Sequence, residues 1–102
     1  MLLKIHTESE GDTLRVRLAG EFDLTGIGDF RREVEESLTP WKRAEIDLSD
    51  VVFMDSSGLQ ALVSLNNRAE ERGLELALVS PSVPVSRILQ LTGLESQFVI
   101  DG

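Results

Sequence analysis

Asp55, Ser56, Ser57 and Gly58 stand where an apolar run gives way to a helical pattern, and two adjacent hydroxyls at such a junction invite three chemistries. A nucleophilic serine would need a base and a Gly-x-Ser-x-Gly elbow. The sequence has neither in place, and its one histidine, His6, sits in a strand-like segment near the start. A metal site or an acid pair built from Asp47, Asp50 and Asp55 fails on distance. At roughly 3.3 Å per residue of strand, Asp47 and Asp55 lie too far apart to share an ion or a proton. No enzymatic activity and no cofactor are expected. What remains is a helix cap or an acceptor for phosphate. Ser57-Gly58-Leu59-Gln60 reads as a capping box, which occupies Ser57 and leaves Ser56 free, with Asp55 or Ser56 as alternative caps. The residue types alone favour the cap.

The elements around this junction follow from hydrophobic period. Ile46, Leu48, Val51, Val52, Phe53 and Met54 suit a strand covered on both faces of a parallel sheet. Leu59, Leu62, Val63 and Ala69 recur at helical spacing, with Arg68 and Arg72 in the last turns and Gly73 as the stop. The junction therefore faces the carboxyl edge of the sheet, where α/β proteins place their function.

Upstream, Leu3 and Ile5 alternate with Lys4 and His6, and Leu14, Val16 and Leu18 with Arg15 and Arg17, across a turn at Glu10, Gly11 and Asp12. His6 is expected to face solvent. Ile27, Phe30, Val34 and Leu38 then mark an amphipathic helix, capped by Thr25 or Asp23, whose start Gly26 and Gly28 delay. Neither glycine belongs to a nucleotide-binding fingerprint. Thr39 and Pro40 end that helix, and Trp41 is expected to pack over the core edge. Downstream, Leu74, Leu76, Leu78 and Val79 form a strand. A third helix follows with Ser82 as cap, Pro84 in its first turn, Val85, Ile88 and Leu89 inward and Gly93 as its stop. Phe98, Val99 and Ile100 close the chain as a short strand. The order β-β-α-β-α-β-α-β predicts a single α/β domain over residues 1–102, with a mixed, mostly parallel sheet, helices in right-handed crossovers and an antiparallel first hairpin.

Lys and Arg total 10 against 18 Asp and Glu among 102 residues, a net charge of -8. That charge repels phosphate backbones and anionic lipid, so neither nucleic acid nor membrane is an expected partner. The chain has no Cys. Its start does not read as a signal peptide, and no apolar stretch approaches membrane-spanning length, so a cytoplasmic protein is expected.

The stretch DLSDVVFMDSSGLQALV resembles the signature of the STAS domain as found in bacterial anti-sigma factor antagonists. GEFDLT near the front and SRILQLTGL near the end match the same family. Gln60 departs from the small residue or Gly often found there, and the further C-terminal helix of many members has no counterpart. The resemblance implies that the first serine after the aspartate, Ser56, accepts phosphate, with Ser57 as the second candidate. It also implies a contact surface that includes Asp23, Asp55, Ser56, Ser57, Gly58 and Leu59. The implied partners are an anti-sigma factor serine kinase, which the unmodified antagonist binds so that the sigma factor is released, and a serine phosphatase that resets it. ATP and Mg²⁺ belong to the kinase in that scheme. Gly58 is expected to let the partner's backbone approach. The competing reading is a constitutive STAS interaction module in a transport or lipid-trafficking assembly or a signalling scaffold, and a nucleotide-binding sensor is a third.

Overall fold

The computed structural model describes residues 2–102. Strands β1 (Leu3–Glu10) and β2 (Thr13–Phe22) form the antiparallel hairpin, closed by Gly11 at φ 60 and Asp12 between the paired Glu10 and Thr13. Next come α1 (Ile27–Glu33), β3 (Arg43–Met54), α2 (Ser56–Glu71), β4 (Glu75–Val79), α3 (Val83–Thr92) and β5 (Val99–Asp101). The five strands lie in the order β1-β2-β3-β4-β5, parallel from β2 onward. The predicted element order and mixed sheet are observed.

Each parallel strand is laid beside its predecessor in one direction, so right-handed crossovers put every helix on the same face. Register and burial agree. Leu14 and Val16 of β2 lie in rows with Ala44 and Ile46 of β3 and with Leu76 and Leu78 of β4, and these six are buried, as are Leu18 and Leu48 beyond them. Phe30 of α1, Leu59, Leu62 and Leu65 of α2, and Val85 and Leu89 of α3 cover them. The Phe22 and Phe30 rings meet at 4.9 Å and 49°. Alternate residues, among them Lys4, His6, Arg15 and Arg17, stay on the uncovered face. His6 is exposed there, 3.8 Å from Glu8.

The expectation that β3 is covered on both faces is corrected: Val52 is 64% and Phe53 47% exposed. One cause is the one-sided winding. The other is two bulges, since the register passes from Arg17↔Asp47 to Ala19↔Asp50 and from Gly20↔Val51 to Glu21↔Phe53, each step adding one residue to β3. The buried positions accordingly run Ala44, Ile46, Leu48, then Val51 and Met54. Asp47 fixes the first bulge by accepting from the Ser49 N–H at 2.9 Å and hydroxyl at 2.7 Å.

Ser82 stands at the N-cap of α3 as expected, but its hydroxyl makes no capping bond. It donates instead to the Val51 carbonyl at 2.6 Å, while its N–H donates to the Leu48 carbonyl at 3.3 Å. The loop before α3 is thereby pinned to the bulged strand. The first helix starts late, after a 3-10 turn Leu24–Gly26, and a second 3-10 turn, Glu35–Ser37, replaces its end. Trp41 packs half-buried against the core. Gly73 and Gly93 take φ 66 and 73 after their helices, a conformation that favours glycine. Among the described residues no helix is long and apolar enough to cross a membrane.

Candidate functional site

The carboxyl ends of β2 and β3 lie side by side, with Phe22 in register with Met54, and each strand is followed directly by an aspartate, Asp23 and Asp55. Asp55 is extended, at φ -105 and ψ -173, and its Oδ1 accepts from the N–H of Ser57 at 2.9 Å and of Gly58 at 3.2 Å. It is the N-cap of α2. The Ser57–Gln60 capping box is thus corrected: Ser57 lies inside a helix that already begins at Ser56, and the Gln60 side chain is exposed. An ionised carboxylate makes stronger hydrogen bonds than a hydroxyl, and Asp55 is placed to take two of the orphan N–H groups at once.

With Asp55 as cap, neither serine hydroxyl is engaged by another group among the described residues. Exposure separates them: Ser56 projects into solvent and Ser57 is half-buried. The reason for preferring Ser56 therefore changes from an occupied neighbour to its own accessibility.

Gly58 serves the fold. A Cβ built on it would overlap the Phe22 carbonyl oxygen and lie 2.8 Å from Met54 Cγ and 3.0 Å from Phe22 Cγ. Its missing side chain admits the neighbouring strand, not a partner, so the expected role is corrected. Leu59 is 4% exposed and belongs to the core. Of the six residues expected at the contact surface, Ser56 is exposed, Asp23, Asp55 and Ser57 are half-buried, and Gly58 and Leu59 lie beneath them.

Asp23 caps the 3-10 turn at the end of β2, accepting from the Thr25 N–H at 3.0 Å and hydroxyl at 2.6 Å. The Thr25 hydroxyl bond is the main reason that the Asp23 carboxyl titrates below its ordinary value. Asp23 and Asp55 therefore bring two carboxylates to one edge of the sheet, each held by its own turn.

Sequence reasoning missed Glu35. It is buried, accepts from the Ser64 hydroxyl at 3.3 and 3.4 Å and pairs with Arg68 at 3.2 Å, joining the 3-10 turn after α1 to α2. The available signal was the i, i+4 spacing of Ser64 and Arg68, which sets both on one helix face. Its place between helices, away from the carboxyl edge, makes it a structural group.

Residues 5–100 match the profile of the family described as "Mlab, STAS domain". A STAS-domain containing protein of Pseudomonas aeruginosa is 31% identical over 93 residues, spanning 90% of this chain and 91% of that protein. An anti-sigma F factor antagonist of Paenibacillus polymyxa is 33% identical over 96 residues, spanning 92% and 82%. The crystal structure of a putative anti-sigma factor antagonist from Thermotoga maritima superposes with a TM-score of 0.88 at 25% identity, covering 96% of this chain and 86% of that one.

Proposed function

Since the chain belongs to the STAS domain family, we propose that it acts as an anti-sigma factor antagonist switched by phosphorylation of Ser56. In this reading it is a regulatory binding protein, not an enzyme. Unmodified, it binds an anti-sigma factor serine kinase and the sigma factor is released; phosphorylated, it dissociates until a serine phosphatase restores it. The observation that carries the proposal is the accessible, unengaged Ser56 hydroxyl on the first turn of a sixteen-residue helix whose cap is supplied by another residue.

Two physical arguments support it. Phosphate adds a charge of about -1.5 to -2, and the positive end of the α2 dipole, with the Ser56 N–H that the Asp55 cap does not take, can receive it without unfolding the domain. The same charge lands beside Asp55 in the contact surface. Desolvated there without a counter-charge, it costs several kcal/mol, at about 1.4 kcal/mol per tenfold change in affinity. The switch thus acts on binding while the fold persists.

Mass spectrometry after incubation with ATP and the kinase tests the proposal. Phosphate on Ser56, loss of kinase binding on its addition, and retained binding by Ser56→Ala are expected. Ser56→Asp should bind poorly. Phosphate on Ser57 alone would reassign the acceptor. The constitutive-module reading is favoured by one feature, that the Asp55 cap completes the turn without any modification. Phosphate on neither serine, with the kinase active on another antagonist, would establish that reading instead.

A further inference from the structure

The carboxyl edge carries more than the Ser56 turn. At the bulged end of β3, Val52 is 64% and Phe53 47% exposed; Val83, at the start of α3, is 68% exposed, and Leu2 is 78% exposed. Hydrogen bonds and register make them neighbours. Ser82, next to Val83, is bonded to the Val51 carbonyl, and Phe53 is in register with Glu21, whose N–H donates to the Leu2 carbonyl at 3.5 Å. Elsewhere the uncovered face is largely charged. Here Leu2, Val52, Phe53 and Val83 place four exposed large apolar residues at one end of the sheet.

The charge around them selects the occupant. No Lys or Arg occurs between Arg17 and Arg31, between Arg43 and Arg68, or between Arg72 and Arg87. The three turns of this edge thus contain no positive charge, whereas Glu21, Asp23, Asp50 and Asp55 lie in or beside them. Lys4, in a row with Ala19 and Asp50, is the basic residue that the hairpin brings to this end. An anionic membrane would be repelled, and a second copy would bring an acidic rim against an acidic rim.

We infer that Leu2, Val52, Phe53 and Val83 form a docking ridge for a protein partner that presents an apolar face rimmed by Lys and Arg. The inference rests on the proposed function in one respect: the partner is the kinase that engages the Ser56 turn, and the ridge extends that contact along the same edge, with the partner's Lys and Arg set against Glu21 and Asp50 and not against Ser56. Apolar anchors hold such a complex together, and the acidic rim accelerates its formation.

The test uses the purified anti-sigma factor serine kinase and the unphosphorylated full chain. Val52→Ser combined with Phe53→Ser should raise Kd about tenfold or more, chiefly through faster dissociation, with the thermal transition still cooperative. Asp50→Lys should slow association and weaken its salt dependence while dissociation stays unchanged. Val83→Ser, on a different element, should weaken binding in the same direction. If wild type binds and the Val52/Phe53 double variant binds equally, the ridge is overturned and the proposed function stands. If wild type does not bind the kinase, both fall. Sedimentation showing a wild-type dimer that the double variant lacks would assign the ridge to a second copy, and vesicles of anionic lipid that bind wild type only would assign it to membrane; either overturns the inference.

Discussion

Asp23-Leu24-Thr25-Gly26 and Asp55-Ser56-Ser57-Gly58 are two versions of one turn, each leading from a strand into helical structure at the same edge of the sheet. Both aspartates are extended, at φ -124 and -105, and both accept the N–H two residues on. They differ at the third and fourth positions. Thr25 donates its hydroxyl to Asp23, and the chain tightens into a 3-10 turn before a seven-residue helix. The Ser57 hydroxyl makes no bond to Asp55, the carboxylate takes the Gly58 N–H as well as that of Ser57, and α2 runs unbroken for sixteen residues. The aspartates and glycines are thus devices of the fold in both turns. What each turn displays is its second residue, and there one offers Leu24 and the other the Ser56 hydroxyl.

The glycines give the largest contrast. A Cβ at Gly58 meets backbone, the Phe22 carbonyl, which cannot move without displacing β2, whereas at Gly26 it meets the Leu3 side chain at 3.0 and 3.1 Å. Gly58→Ala should therefore cost about 3 kcal/mol or more, and Gly26→Ala about 1 kcal/mol as Leu3 shifts. Denaturant titrations with matched m-values measure both. Equal losses would show that the two glycines are not packed differently. The same contact predicts that Gly58→Trp loses partner binding through unfolding, a loss visible in the thermal transition.

The caps come next. Asp55→Ala should cost about 1 to 2 kcal/mol, because it frees two N–H groups of a long helix. Asp23→Ala should cost less, since its turn is short and solvated. Ser57→Ala should stay within about 0.5 kcal/mol, as the hydroxyl makes no bond. A loss at Ser57 as large as that at Asp55 would restore the serine as cap.

Element order, helix ends and the antiparallel hairpin were legible because period and punctuation report on local structure. Gly73 and Gly93 stop helices wherever the chain lies in space. The contacts of β3 were not legible. A run such as Val51 to Met54 looks the same whether both faces are covered or two bulges turn Val52 and Phe53 outward, and only the register with β2 distinguishes them. The junction Asp55 to Gly58 was located correctly as the edge turn, but its internal roles were misassigned. Ser57 and Asp55 are both good caps by type, and the choice depends on which one the strand leaves extended at the helix entrance. Gly58 was read outward because its neighbour Phe22 is far away in sequence.

The smallest expected effect belongs to the Thr25 hydroxyl, the group in which the two turns differ chemically. The Thr25 hydroxyl holds the Asp23 carboxyl below the ordinary value of 3.8, so the folded state binds that proton less readily than the unfolded chain. The stabilisation is fully present above the unfolded value and is lost as pH falls through the depressed folded one. Thr25→Val keeps the N–H bond to Asp23 and removes the hydroxyl, so the Asp23 titration followed by NMR should move upward. The small stability difference from wild type should be present at neutral pH and vanish in acid. Ser57→Ala, at the matching position, should show no such pH-dependent difference, because no hydroxyl bond joins Ser57 to Asp55. A parallel loss in both variants would mean that the second turn shares the hydroxyl bond of the first. Ser57 would then be engaged, and Ser56 would be left as the one free acceptor for a further reason.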